Sequence, residues 1–108
     1  MTPDAFKHSL AKLAPPDCAP ALQALWWAAK SDWNAAHAIV MKHDDADCAW
    51  VHAHLHRVEG DIPNARYWYR QAGKPIATTE HDAERDAIIT ALLCDPSDQE
   101  RGPFSPSP

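Results

Sequence analysis

Histidine is concentrated in one short stretch of the chain, WVHAHLHRVEGD at residues 50–61, which holds three of the seven histidines. Imidazole nitrogens bind transition metals and transfer protons near neutral pH, so a cluster of them could do chemistry. On a helix, which turns about 100° per residue, His52, His56 and Glu59 fall within about 60° of one another, whereas His54 lies on the opposite flank. The spacing i, i+4, i+7 therefore groups two imidazoles with one carboxylate.

A further candidate, His37, lies on the preceding helix, which should pack beside the helix of His52 and His56. Two histidines at i and i+4 can share one metal ion, and other residues can complete its coordination. The candidate metal set is therefore His37, His52, His56 and Glu59, for a divalent transition metal such as zinc, iron or nickel. Two alternatives stay open. The same groups could act in acid/base catalysis, or they could be interface histidines bonded to Glu59 or the backbone, which is the interpretation we favour from sequence.

Helix signals run from the N-terminus to about residue 94. Thr2 is a suitable N-cap before a proline at the first helical position. Asp45 or Asp47 can cap the helix of about residues 47–59 that carries the histidines, and Gly60 suits its C-terminal end. The other predicted caps are Asp17, Asp61, and Thr78 or Thr79. No strand-like alternation appears, so we predict an all-α fold of about six short helices in antiparallel hairpins.

An internal repeat with a period of 29 residues relates two segments of the chain. The matched pairs are Leu22 and Val51, Trp26 and Leu55, Ala29 and Val58, Asp32 and Asp61, Ala36 and Ala65, and Val40 and Tyr69. Each copy is predicted to be a helix, a short turn and a second helix. An amphipathic hairpin cannot cover its own apolar faces, so we expect the copies to stack side by side. Two hairpins of similar length can also align by chance.

The segment EGDIPNARYWYRQAGKP, residues 59–75, resembles the second half of a tetratricopeptide or Sel-like repeat. Those families place a glycine at the turn, then a small residue, an aromatic residue, an alanine and a closing proline. The corresponding residues here are Gly60, Ala65, Tyr69, Ala72 and Pro75. The resemblance implies a short tetratricopeptide-like array, an α–α superhelix, that binds other proteins. The chain is also similar to small bacterial proteins of no assigned activity that carry segments like LWWAAK and WVHAHLHRVEGD.

Aromatic and basic side chains outside the apolar stripes offer a second kind of site. Three aromatic residues lie outside the apolar faces of the predicted helices: Trp27, Trp50 and Tyr67. They either pack on the first or last helix or form an exposed binding face. Arg66 and Arg70 share a helix face at i, i+4, either as a solvated face or as an anchor for a carboxylate or phosphate. A groove for a protein or peptide partner would be lined by Trp27, Trp50, His52, His56 and Tyr67.

Composition and charge exclude several functional classes. The net charge of −5 over 108 residues, with scattered Lys and Arg, argues against a nucleic-acid partner. No apolar run approaches the roughly 20 residues of a membrane span, and no apolar signal core is seen, so we expect no membrane partner and a cytoplasmic location. Cys18, Cys48 and Cys94 lack ligand spacing and suit buried thiols in a reducing compartment. Residues 1–94 are predicted to form one domain, and residues 95–108 a flexible Pro/Ser-rich tail.

Taken together, the sequence favours a non-enzymatic protein–protein interaction module that has no cofactor, binds a protein or peptide, and self-associates as a homodimer. No nucleophile with a paired base, no phosphate-binding loop and no paired acidic motif is apparent, so an enzyme is not favoured. The alternative function is binding of a metal or small ligand by the His/Glu cluster, with hydrolysis as one activity that it could support.

Overall fold

Helices alone make up the regular structure in residues 1–94, which are the residues that the computed structural model describes. The helices are α1 (Pro3–Ser9), α2 (Pro20–Ala29), α3 (Trp33–Val40), α4 (Ala46–Glu59), α5 (Ile62–Ala72) and α6 (His81–Cys94). No strand occurs among these residues, so the prediction of an all-α fold with about six helices is confirmed. The predicted tail, residues 95–108, lies outside the described residues. No helix within residues 1–94 is both long and apolar enough to cross a membrane.

Local capping chemistry decides where the histidine-bearing helix α4 begins and ends. The carboxylate of Asp45 accepts a hydrogen bond from the backbone N–H of Cys48 at 3.0 Å, and such an N-cap stabilises a helix by about 1 kcal/mol. Gly60 ends α4 in the left-handed conformation, with φ of 90°, which a residue without Cβ adopts at little cost. Asp61 then caps α5. The turn between α4 and α5 is therefore two residues long.

The same turn geometry occurs 29 residues earlier, between α2 and α3. The backbone N–H of Asp32 donates to the carbonyl of Trp27 at 2.9 Å, just as the N–H of Asp61 donates to the carbonyl of His56 at 2.9 Å. Ser31 adopts φ of 63° at the position where the second turn has a glycine, and this conformation strains a residue with a Cβ by about 1–2 kcal/mol. The register predicted between the two segments is thus observed at their turns.

The main hydrophobic core gathers apolar side chains from every helix except α5. Trp26 is wholly buried there, and its indole N–H donates to the hydroxyl of Ser9 at 3.1 Å. A buried indole N–H needs an acceptor, so Ser9 helps to fix α1 against α2. The buried apolar residues of this core are Phe6, Ala21, Leu22, Ala24, Leu25, Trp26, Ala36, Val40, Cys48, Val51, Leu55, Ile88 and Ile89.

Helix α4 lies at the centre of the fold, since it packs on α2, α3, α5 and α6. Val51 and Leu55 face the main core, whereas Ala53 forms a second cluster with Ala65 and Tyr69 of α5. The small alanine side chains allow α4 and α5 to approach closely. As a result the middle of α4 is buried, including its three histidines. Buried polar rings lose hydration, so they must find partners inside the protein.

Two predicted helix caps are wrong. Asp17 does not cap α2, because a proline takes the first helical position and places the N-cap at Ala19, which makes no side-chain cap bond. Neither Thr78 nor Thr79 directly precedes α6, which starts at residue 81. The backbone carbonyl of Thr79 instead accepts a hydrogen bond from the guanidinium of Arg57. A tertiary contact that is 22 residues away in sequence thus determines the conformation before α6.

Candidate metal centre

Three imidazoles meet between α3 and α4. His37 is supplied by α3, while His52 and His56 lie one turn apart on α4. One ring nitrogen from each residue lies within 4.8 Å of the other two. Ligand atoms on a tetrahedral zinc ion are about 3.3 Å apart, given Zn–N bonds of about 2.0–2.1 Å. The rings of this group, which we call the histidine trio, must therefore rotate to reach coordination distance, since those of His52 and His56 are stacked with planes 26° from parallel.

Tryptophan rings hold two members of the histidine trio in place. The ring of His52 stacks on Trp68 with centroids 3.9 Å apart and planes 14° from parallel. The ring of His37 stacks on Trp33 at 4.5 Å and 17°. The indole N–H of Trp33 donates to the backbone carbonyl of Leu55 at 2.7 Å, which fixes Trp33 against α4. Stacked rings have few alternative orientations, so the two tryptophans limit the movement of both imidazoles.

Glu59 orients the third imidazole. Its Oε2 lies 2.6 Å from Nδ1 of His56. This contact engages Nδ1, so Nε2 remains available for a metal ion, and a carboxylate partner of this kind also makes a histidine ligand more basic. Asp61 is close by, since its carboxylate, that of Glu59 and a ring nitrogen of His56 lie within 4.8 Å of one another. Glu59 was predicted as a direct ligand, and the structure places it beside His56.

The surroundings of His37 and His52 favour the neutral form of both rings. Burial, together with the neighbouring rings of His56 and His37, lowers the pKa of His52 to about 4. Burial and the nearby His56 also lower the pKa of His37, against an opposing effect of Glu59. A histidine must be deprotonated to bind a metal, so both residues are in the binding form at neutral pH. Within residues 1–94, neither ring has a hydrogen-bond partner that would occupy its lone pair.

A cleft beside the turn between α3 and α4 leads to the histidine trio. It has a volume of about 340 Å³ and is lined by His52, Trp68 and residues 40–44. Lys42, His43 and Asp44 of this turn are exposed. The cleft therefore gives access to His52, whereas His37 and His56 do not line it.

A second polar cluster, which the sequence analysis did not predict, is buried on the opposite side of α4. One oxygen of Glu84 accepts hydrogen bonds from Nδ1 of His54 at 2.8 Å and from Arg57 at 3.0 Å, and the other accepts from the hydroxyl of Tyr69. Burial raises the pKa of Glu84, but the hydrogen bonds from His54 and Tyr69 outweigh it and hold the pKa below its usual value. Glu84 is thus a buried carboxylate with three donors.

One signal for this buried cluster is present in the sequence. Glu84 lies four residues before Ile88, on the face of α6 that enters the core. A carboxylate at an apolar position indicates a buried partner, because an isolated charge would be expelled from the core. The identity of that partner is not encoded locally, since His54 precedes Glu84 by 30 residues.

The tryptophans predicted to line a partner groove cover the core instead. Trp27 packs edge-on against Trp26, with ring centroids 4.9 Å apart. Trp50 contacts both hydrophobic clusters, and the ammonium of Lys74 lies 4.3 Å from the centroid of its ring. Both indoles are half-buried.

The remaining predicted binding residues separate into two groups. His52 and His56 are buried in the histidine trio. Tyr67 is 46% exposed on α5, and Arg66 and Arg70 are exposed on the same helix. The structure therefore brings the histidines together at one place and leaves an aromatic and basic surface at another.

Comparisons with known proteins identify no relative of this chain. No family model, no curated protein and no solved structure matches it. A function for this chain is therefore inferred from the geometry of its own residues.

Proposed function

We propose that this protein binds one divalent transition metal ion of the zinc class through His37, His52 and His56. The observation that carries the proposal is the convergence of three ring nitrogens within 4.8 Å of one another. Neutral imidazole is a good ligand for zinc, nickel, copper and iron. In this arrangement Glu59 is an outer-shell partner that holds the ring of His56.

A comparison within the chain supports a ligand role for the trio. His54 is buried, and its ring already has a partner within the protein, because Glu84 accepts its hydrogen bond. His52 is equally buried, at 3% exposure, yet no residue among those described bonds to its ring. The nitrogens of His52 still reach solvent at the cleft, because neither is among the fully buried atoms that lack a hydrogen-bond partner. They are therefore free for an ion that enters the cleft.

The other group of potential ligands, His56 with Glu59 and Asp61, is a weaker candidate. Both of its carboxylate residues lie toward solvent, where acidic side chains are hydrated. The contact between Glu59 and His56 is already satisfied by a hydrogen bond. In the histidine trio, by contrast, His37 and His52 are stacked on tryptophans and have lowered pKa values.

Metal analysis of the purified full chain tests the proposal. After removal of metal with a chelator, the protein is titrated with Zn²⁺ and with Co²⁺, whose absorption spectrum reports coordination by nitrogen. We expect one ion per chain, a tetrahedral Co²⁺ spectrum and an increase in Tm on binding. His37→Gln, His52→Gln and His56→Gln should each lose the high-affinity ion, because a trio that lacks one imidazole retains only two ligands.

His8→Gln is the matched control, since His8 is exposed on α1 and far from the trio in sequence. Far-UV circular dichroism checks that each variant is folded. Failure of the wild-type protein to bind either ion, or retention of affinity in a folded trio variant, would contradict the proposal.

A protein-binding surface on α5 is a second candidate function. It is supported by the exposure of Tyr67 between Arg66 and Arg70, because tyrosine and arginine are the residues that most often anchor protein interfaces. Self-association is its simplest form. Sedimentation measurements on the wild type and on Tyr67→Ser test it, with loss of a dimer as the expected result. A monomeric wild type would exclude a homodimer on this face.

A further inference from the structure

A cavity separate from the histidine trio lies between the α2–α3 turn, α4 and α6. Its volume is about 280 Å³, at the lower end of the range of about 300–1,000 Å³ for small-molecule sites. One part of its wall is apolar and consists of Ala28, Trp33, Leu55 and Val58. The polar part includes His54 and Arg85. A small ligand with an apolar body and one polar end would match this distribution.

Arg85 lines this cavity, and its guanidinium has donors without an acceptor among the described residues. Nη1 donates to the carboxylate of Asp82 at 3.0 Å. Nε is buried, and it is the one fully buried side-chain nitrogen or oxygen without a hydrogen-bond partner among the described residues. No acceptor for Nη2 is found among them either. The edge formed by Nε and Nη2 can bind a carboxylate with two parallel hydrogen bonds. Because Nε is buried, the side chain of Arg85 must turn toward the cavity to offer this edge to a ligand.

The charges around the cavity favour a single negative charge on the ligand. Arg85 is the permanent cation of the lining. Asp82 also lines the cavity, and its carboxylate, 3.0 Å from Nη1, offsets part of the charge of Arg85. A planar monoanion therefore suits the free edge better than a phosphate dianion, which would need further cations.

The inner wall of the cavity is held rigidly by the buried cluster around Glu84. His54 lines the cavity, and its Nδ1 is bound to Glu84. The carboxylate of Glu84 is compensated by Arg57 and by the hydroxyl of Tyr69, so its charge does not repel an anion in the cavity. A pre-formed wall lowers the entropy that a ligand must overcome on binding.

We propose that this cavity binds a small organic carboxylate, with the carboxylate on the Nε–Nη2 edge of Arg85 and the hydrocarbon part against Leu55 and Val58. The site requires no metal ion and is independent of the function proposed for the histidine trio.

Benzoate is a suitable probe, with benzamide as its neutral isostere and acetate as the probe without an apolar body. Binding is followed by two-dimensional NMR of the ¹⁵N-labelled full chain in the presence of a metal chelator. We expect saturable shifts of the backbone amides of Ser31, Leu55 and Arg85. Affinity for benzamide should be lower by about tenfold or more, because it offers one acceptor and no charge to the guanidinium. Acetate should also bind more weakly.

Two variants separate recognition from folding. Arg85→Gln should weaken benzoate binding by about tenfold or more, since it removes the paired donors, and Val58→Trp should block the cavity while leaving Arg85 in place. Lys12→Gln, which removes an exposed cation near the end of α1, is the control and should bind as the wild type does. Absence of saturable shifts in the wild type, equal affinity for benzoate and benzamide, or unchanged binding in a folded Arg85→Gln variant would overturn the proposal.

Discussion

Nδ1 of His56 and Oε2 of Glu59 are 2.6 Å apart, and this contact joins a buried ring to a carboxylate at the surface. The side chain of Glu59 is 39% exposed, whereas that of His56 is 7% exposed. The carboxylate therefore stays hydrated while it holds the imidazole, which avoids the penalty of burying its charge. If Nε2 of His56 binds an ion, Glu59 offsets part of the positive charge that the ring then carries.

Replacement of Glu59 should weaken metal binding without removing a ligand. Glu59→Ala is expected to lower zinc affinity about 10–100-fold, the usual effect of losing an outer-shell carboxylate. Glu59→Gln should have a smaller effect, because the amide oxygen still accepts a hydrogen bond from Nδ1. Competition with a chromophoric chelator measures both affinities. Glu80→Ala, an exposed glutamate before α6, is the control. Equal affinities in all four proteins would show that Glu59 has no part in metal binding.

Trp33 makes two contacts that different substitutions can separate. Trp33→Phe removes the hydrogen bond to the carbonyl of Leu55 but keeps an aromatic ring for stacking on His37. Trp33→Leu removes both. We expect zinc affinity to fall further in Trp33→Leu than in Trp33→Phe, since His37 gains rotational freedom only when the ring is lost. Chelator competition gives the affinities, and urea unfolding of the metal-free proteins corrects for lost stability. An equal loss in the two variants would show that the hydrogen bond, and not the stacking, positions His37.

Much of the helical framework follows from local sequence. The caps Thr2, Asp45 and Asp61 form the hydrogen bonds that their residue types predict, and Gly60 ends α4 with positive φ. These features depend on residues within four positions of one another, so a single sequence encodes them. The same holds for the pairing of His52 with His56, which follows from helical spacing.

Features that depend on tertiary contacts were harder to predict. The 29-residue register suggested that His37 would approach the histidines of α4, and the structure brings them together. The stacking of Trp68 on His52 was not predicted, because it depends on how closely α5 approaches α4. The burial of Glu84 was missed for a similar reason, since its donors come from α4 and α5. An acidic residue in the first turn of a helix is adequately explained by the helix dipole, which concealed its second role.

The buried carboxylate of Glu84 should be one of the largest single contributors to stability. Glu84→Ala is expected to reduce the free energy of unfolding by about 3–5 kcal/mol, because it removes the anion that pairs with Arg57 and the acceptor of His54 and Tyr69. Tyr69→Phe should cost about 1–3 kcal/mol, since the carboxylate loses one of three donors. Urea unfolding measures both. Asp86→Ala is the control on α6, and its exposed pair with Lys7, at 3.8 Å, should contribute at most about 1 kcal/mol. A loss from Glu84→Ala no larger than that of the control would contradict the buried cluster.

The stability of the metal-free protein should decrease as the pH falls from about 6.5 to about 4. The pKa of His52 is about 4 in the folded chain and 6.5 when unperturbed. Between these values the unfolded chain carries one more proton than the folded chain, so acid favours unfolding. The contribution is fully present above pH 6.5 and is lost by about pH 4. At about 1.4 kcal/mol per pKa unit, the loss amounts to about 3 kcal/mol.

Urea unfolding as a function of pH checks this dependence and assigns it to His52. His37 acts in the same direction, since its pKa is also lowered. Glu84 also has a lowered pKa, but it destabilises the fold only below its ordinary value of 4.5. The interval from pH 6.5 to 4.5 therefore reports the histidines. His52→Gln should remove most of the slope in this interval, whatever its effect on absolute stability, and exposed His8→Gln should leave it unchanged. If His52→Gln kept the full slope, the ring of His52 would have to be protonated in the folded state, and it would then be unable to bind a metal ion at that pH.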